Sequence, residues 1–274
     1  MLSFHILSNN YASREELLTE HGLSVLVETD DKNILFDTGE SDAFLHNSEK
    51  MGYDIHSVDY IVLSHGHYDH TTGLSHIDFG DSSASLCIHP YALKEKYKIV
   101  NNEIKYIGIP WRLEDIDIKE ERIIFNSKLK YLTENIIIIS EIPRITNFEE
   151  IPKHFKVKEK DGLKDDTFLD EQMLVIKTEK GIVILLGCSH PGVINCIKYA
   201  IQVTGENKVR AVIGGMHLKD ASTSQLNRTI ESLKDMEIER VFPLHCTGTK
   251  SMMEMKRALK ERCILCNAGD TIEI

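Results

Sequence analysis

The chain lacks any run approaching the roughly 18–20 consecutive apolar residues that a membrane-spanning helix requires. Its first residues, MLSFHILSNN, have neither the basic start nor the long apolar stretch of a secretory signal. It also lacks an excess of positive charge: 32 Lys and Arg stand against 43 Asp and Glu, a net charge of −11. Affinity for nucleic acid and for anionic membranes rests on Lys and Arg neutralising phosphates, so neither is expected as a partner. These absences together predict a cytoplasmic protein. A small anionic substrate stays open, because a bound cation reverses the local sign.

Further absences narrow the chemistry. There is no dinucleotide fingerprint, no glycine-rich phosphate loop and no Ser-His-Asp arrangement. Gly214-Gly215 alone is too weak a signal, and Gly187-Cys188-Ser189 lacks the flanks of a nucleophile elbow. No internal repeat or low-complexity tract occurs. The six cysteines do not form a staple framework, and a chain of 274 residues buries enough apolar surface to need none. Cys263-Ile-Leu-Cys266 has zinc-knuckle spacing without a second close pair. Its apolar middle suits a short strand, so ordinary buried thiols are expected there.

What is present is a strand-rich chain with helices at intervals. Leu2 to Leu7 and Leu23 to Val27 read as strands, and Asn33 to Asp37 returns after the turn Asp30-Asp31-Lys32-Asn33. Helical spacing follows over Ser41 to Met51, ending at Gly52, and then the short apolar strand Ile61 to Ser64. In the last third, strands over Leu174–Thr178, Ile182–Leu186, Val209–Ile213 and Arg240–Leu244 alternate with helices. The helices begin at Pro191 and cover Ser222–Met236 and Lys250–Arg262. This pattern predicts two sheets packed together and flanked by helices, in one domain spanning 1–274. Residues from about 95 to 170 have poor periodicity and read as an inserted loop or cap region. Within it, PKHFKVKEKDGLK at 152–164 carries five Lys against one Glu and one Asp. That island reads either as a solvated surface loop or as a flap presenting Lys156 and Lys158 to a substrate anion.

The stretch SHGHYDH at 64–70 directly follows an apolar strand. Four potential ligands, His65, His67, Asp69 and His70, fall within six positions. Charged, they would repel one another; buried and neutral, they would be poorly satisfied. His65 and His67 project the same way from extended backbone, and a turn brings Asp69 and His70 back towards them. Gly66 and Gly73 supply the freedom for close backbone approach. Nitrogen and carboxylate donors of this kind suit zinc, with manganese and iron as alternatives, in one or two ions.

SHGHYDHTTGL matches the HxHxDH signature of the metallo-β-lactamase superfamily, which the chain resembles over essentially its full length. FDTG at 36–39, GCSHPG at 187–192, IGGMHL at 213–218 and LHCTG at 244–248 agree with it. With EHGLS at 20–24 and the DEQ of 170–172, the chain looks like the dihydropteroate-synthase-like branch of metal-dependent hydrolases. The resemblance implies an α/β fold, a four-layer αββα sandwich. By position, it implies that His65, His67 and His190 hold a first metal, and Asp69, His70 and His245 a second. Asp37 would orient the ligand loop. His21, Asp170, Glu171 and Gln172 match branch motifs and are assigned to substrate binding. One departure stands out. Most members carry a bridging Asp near the position of Gly215, where no carboxylate is present; His217 is the substitute, either as a ligand or as an imidazole behind the ligands or facing substrate.

The chemistry expected is hydrolysis by metal-activated hydroxide, with Asp69 as ligand and general base, on a small and phosphate-containing anion. Cys188 and Cys246 neighbour ligand positions and are expected to pack rather than react. Two alternatives remain open. One is a transferase joining a dihydropterin diphosphate to an aminobenzene ribofuranosyl phosphate, in which metals stabilise the departing diphosphate. The other is a metal-binding sensor without turnover. Oligomeric state is left open.

Overall fold

In the computed structural model, every residue except Met1 and Asp81 is described. The described residues form 17 strands and five α-helices. The first eight strands are β1 (Ser3–Ser8), β2 (Ser24–Glu28), β3 (Asn33–Phe36), β4 (Tyr60–Val62), β5 (Ser85–Ile88), β6 (Lys96–Val100), β7 (Glu103–Tyr106) and β8 (Ile123–Phe125). Next come β9 (Leu129–Tyr131), β10 (Ile136–Ile139), β11 (Phe155–Glu159) and β12 (Gly162–Asp165). The last are β13 (Met173–Thr178), β14 (Gly181–Leu186), β15 (Val209–Gly215), β16 (Ile238–Leu244) and β17 (Thr271–Glu273). The helices are α1 (Ala43–Met51), α2 (Tyr68–Thr71), α3 (Val193–Thr204), α4 (Thr223–Asp235) and α5 (Thr249–Leu259). No helix among the described residues is long and apolar enough to cross a membrane.

Two compact units divide the chain. The first comprises Met1–Asn126, Pro152–Asp170 and Asn267–Ile274. Its larger sheet runs β17-β1-β2-β3-β4-β5-β8, parallel from β3 to β8, and a smaller one runs β12-β11-β6-β7. Parallel strands need crossovers, and α1 supplies the one between β3 and β4. Gly52 ends α1 in the left-handed conformation, its N–H on Glu49 and Ser48 carbonyls. The core gathers Leu35, Phe44, Ile61, Leu63, Leu74 and Leu86, all essentially without exposure.

The second unit comprises Ser127–Ile151 and Glu171–Cys266. Its sheet runs β16-β15-β14-β13-β10-β9, with β14, β15 and β16 parallel. The four isoleucines of β10 are all buried. Fully burying such a side chain contributes about 1.5–3 kcal/mol. Helix α3 buries Val193, Ile194, Ile197 and Ala200, the apolar stripe legible in the sequence, and stops at left-handed Gly205. Ser222 caps α4 through its side chain, which accepts the Gln225 N–H.

Residues 95–170 divide between these units, 95–126 and 152–170 in the first and 127–151 in the second. The lysine-rich stretch is not a bare loop: β11 and β12 form a hairpin paired to β6. The Cys263–Cys266 stretch forms no strand beyond a single bridge from Cys263 to Val241, and Cys266 is half-exposed rather than buried.

Candidate metal centre

In the first unit, the residues after β3 and β4 are locked together at their carboxyl ends. Asp37 follows β3 with φ of 59°, and its N–H bonds the Val62 carbonyl at 2.9 Å. Left-handed backbone at a non-glycine residue costs on the order of 1–3 kcal/mol and persists where surroundings enforce it. Here they do. One Asp37 oxygen accepts the Ser64 N–H at 2.6 Å. The other accepts the Ser64 hydroxyl and His70 Nδ1, both at 2.7 Å.

These bonds assign the histidine tautomers. A carboxylate only accepts, so His70 carries its proton on Nδ1 and presents the Nε2 lone pair. The single Ser64 hydroxyl hydrogen goes to Asp37, so Ser64 Oγ accepts from His65 Nδ1 at 2.9 Å. His65 therefore also presents Nε2. The His65 ring lies with its centroid 4.6 Å from His67 and 4.3 Å from His70. Burial pushes the His67 imidazole down to about 3, keeping it neutral, the form that ligates metal. Asp69 Oδ2 sits 3.7 Å from His70 Nε2 and 3.5 Å from Nε2 of His21, which is largely exposed. The four residues of the HxHxDH stretch are buried and gathered. Gly66 and Gly73 make the close approaches that the sequence predicts: an added Cβ would meet the Ala92 oxygen at 2.2 Å and the Thr38 oxygen at 1.9 Å.

Behind this loop lies a buried ion cluster. Lys96 Nζ, fully inaccessible, donates to Asp166 at 2.8 Å and Asp170 at 2.9 Å. The other Asp170 oxygen accepts the Gly66 N–H at 2.8 Å, fixing the backbone between the two histidines. Burial alone would raise Asp170, but the Lys96 ammonium and the Gly66 N–H more than offset it and hold the carboxyl below its usual value. The Phe155 ring of β11 stacks at 5.6 Å on His67, and Phe168 meets His67 edge-on at 5.5 Å.

In the second unit, ligand-type residues follow all three parallel strands. Glu171 is the organiser. One oxygen accepts the N–H groups of Cys188 at 3.2 Å and Ser189 at 2.7 Å. The other accepts from His190 Nδ1 at 2.7 Å, again assigning the ring lone pair to Nε2. The loops are stitched by Gly215 N–H to the Gly187 carbonyl at 2.9 Å and Met216 N–H to Thr247 Oγ1 at 3.0 Å. Ser189, His217 and His245 have φ of 55°, 47° and 47°, three more strained non-glycine positions. His190 and His217 rings stand 4.4 Å apart. Ligand atoms of Cys188, His190 and His217 all lie within 4.8 Å of one another, as do those of Cys188, His245 and Cys246. Burial would raise the Cys246 thiol, but its bonding to Cys188 and His217, with His245 nearby, brings it well below the usual value.

The donor set suits a divalent cation. Imidazoles held by carboxylates through Nδ1, with Nε2 presented, are the arrangement that orients histidine ligands and raises their basicity. Asp37 stands behind His70, accepting its Nδ1 proton.

Asp170, Glu171 and Gln172, expected at the substrate, are all buried, and the two carboxylates accept from backbone N–H groups, Lys96 and His190. Lys156 and Lys158, the residues expected to meet a substrate anion, lie on β11. Strand side chains alternate, so Phe155 faces His67 while Lys156 and Lys158 face the opposite way, and Lys156 pairs with Asp165. Two residues escaped sequence reasoning. Lys96 sat in a poorly periodic stretch with nothing to distinguish it from surface lysines. Lys98 lies across from Phe155 in the β6–β11 ladder, its Nζ 5.3 Å from that ring.

Residues 19–194 match the family model of the metallo-β-lactamase superfamily. A Methanocaldococcus jannaschii protein named 7,8-dihydropterin-6-methyl-4-(β-D-ribofuranosyl)-aminobenzene-5'-phosphate synthase is 32% identical, over 99% of this chain and 96% of that one. The crystal structure of Tm1679, described as a metal-dependent hydrolase of the β-lactamase superfamily, superposes with a TM-score of 0.86 at 30% identity, covering 100% of this chain and 99% of that one. Zinc-bound PqqB from Methylobacterium extorquens shares the fold at 13% identity, with a TM-score of 0.59 and coverage of 99% and 100%. The chain belongs to the metallo-β-lactamase superfamily.

Proposed function

We propose that the protein is a metal-dependent hydrolase acting on a small, phosphate-containing anion. One or two divalent ions, zinc foremost, are the cofactor of this reading; within the first unit His65, His67, Asp69 and His70 offer the ligand atoms, and within the second unit His190 and His245 do. The observation that carries this reading is the pair of buried carboxylates, Asp37 and Glu171, each taking the Nδ1 proton of a ligand histidine at 2.7 Å. Zinc accords with a donor set dominated by imidazole nitrogen. When bound, such an ion supplies Lewis acidity, stabilising negative charge on a substrate oxygen and acidifying water towards neutrality.

The chain's own groups do the rest. Asp69, still 7% accessible, is the base that takes a proton from water. His21, 3.5 Å away and largely exposed, passes that proton to solvent. Phe155 and Phe168 cover His67 and keep bulk water off it. A second reading is favoured by the 32%-identical relative named as a synthase: transfer to an arylamine with loss of diphosphate. In that reaction the same histidine and aspartate ligands would hold the divalent ion, whose charge would stabilise the departing phosphate oxygens.

Purified protein should be assayed with zinc or manganese against phosphodiesters, phosphomonoesters and lactones. It should also be offered a dihydropterin diphosphate together with an aminobenzene ribofuranosyl phosphate. Turnover of a phosphoester, abolished by His67→Ala, supports hydrolysis. Product from the pterin pair with no hydrolysis of the panel moves the assignment to transfer. Failure to bind any divalent metal defeats both.

A further inference from the structure

Two cysteines of the second unit have no task in the reading above. Cys188 follows β14 and Cys246 follows β16, with 3% and 7% of their surface exposed. Each stands among imidazoles: within the second unit Cys188 shares one set of ligand atoms within 4.8 Å with His190 and His217 and another with His245 and Cys246. Gly215, on the strand between them, cannot be given a side chain. An added Cβ would meet the Cys246 sulfur at 2.6 Å and the Gly187 oxygen at 2.4 Å. The thiol thus takes up the space from which a carboxylate at 215 would have to reach the ligands.

An imidazole nitrogen has one lone pair and binds one cation. A thiolate sulfur has three and can be shared by two. We propose that Cys188 and Cys246 are metal ligands, and that the Cys188 thiolate is shared between a position formed with His190 and His217 and one formed with His245 and Cys246. Each thiol releases its proton to solvent as the cation binds. The sulfur donors make the pair select zinc over manganese, because soft ligands discriminate against the harder ion. This rests on the metal reading above and adds the sulfur ligands to it.

The test uses the full chain, reduced and freed of metal, titrated with cobalt(II) and separately with zinc. Thiolate ligation gives cobalt an intense sulfur-to-metal charge-transfer absorption in the near ultraviolet. It gives zinc a sulfur shell at about 2.3 Å in X-ray absorption. Cys246→Ser should remove part of the charge-transfer absorption and Cys188→Ser most of it, while Cys266→Ser, in neither set, leaves it intact. Metal bound with a nitrogen and oxygen shell alone overturns the thiolate assignment and leaves the metal reading standing. No metal bound at all overturns both. If the serine variants fail to fold, the zinc spectrum of the unmodified chain decides the question by itself.

Discussion

Replacing Asp37 with asparagine changes one oxygen for an amide nitrogen at a fully buried position that accepts three hydrogen bonds. With the amide oxygen kept on the Ser64 N–H, the amide NH2 faces both the Ser64 hydroxyl and His70 Nδ1, which shared the other carboxylate oxygen, and two donors cannot face each other. His70 resolves the conflict by moving its proton to Nε2 and accepting through Nδ1. The lone pair that would ligate metal is lost. Disturbing a carboxylate behind a histidine ligand typically lowers metal affinity about 10–100-fold, or roughly 1.4–2.8 kcal/mol. Here a whole ligand is withdrawn, so the upper end is expected. Asp37→Ala is less informative, because it strands three buried donors at about 1–3 kcal/mol each, comparable to the total stability of a domain. The assay is competition for zinc against a chromophoric chelator, with nitrogen NMR of the metal-free imidazoles to read the tautomer. Unchanged zinc affinity in an Asp37→Asn variant whose His70 keeps its Nδ1 proton would refute the argument.

Glu171→Gln poses the same conflict at His190 and should likewise weaken zinc binding about 10–100-fold, measured by the same competition. Lys96→Met leaves Asp166 and Asp170 buried without their cation; a loss of about 3–5 kcal/mol is expected in urea unfolding, largely recovered when both aspartates also become asparagine. Metal-free protein should lose stability on acidification. His67 binds its proton only near pH 3 when folded but near 6.5 when unfolded, so the unfolded state holds more protons in that window and stability falls as pH drops through it. His67→Gln should flatten that slope in chelator-treated melts. Lys156→Ala and Lys158→Ala should leave the KM for a phosphate-containing substrate unchanged, whereas Lys98→Ala, on the side of the sheet that faces His67, should raise it severalfold.

Local signals carried the ligand loop and its supports. HxHxDH after an apolar strand is a contiguous pattern, and Asp37 at the end of the preceding strand fell into place behind it. The same holds for helices α3 and α4, whose apolar stripes and caps lie within a dozen residues. Where the chemistry depends on neighbours far apart in sequence, pattern reading failed. Asp170 and Glu171 match a motif that assigns them to substrate without showing what they touch. Their role as supports follows from where residues 66 and 190 lie within their respective units. For Lys156 and Lys158 the sequence left a solvated surface and a substrate-facing flap both open, because charge is visible in a sequence and facing is not.

The sequence by itself determined that this protein is an α/β member of the metallo-β-lactamase superfamily with histidine and aspartate gathered after a buried strand. Strand periodicity and ligand spacing are local properties, and the residues that carry them are adjacent. Only the tertiary structure decided which nitrogen each histidine presents, which carboxylates face inward to hold them, and that a thiol fills the space beside Gly215. Those outcomes depend on hydrogen-bond partners and packing neighbours 19 to 104 positions apart, which only the folded backbone brings within reach.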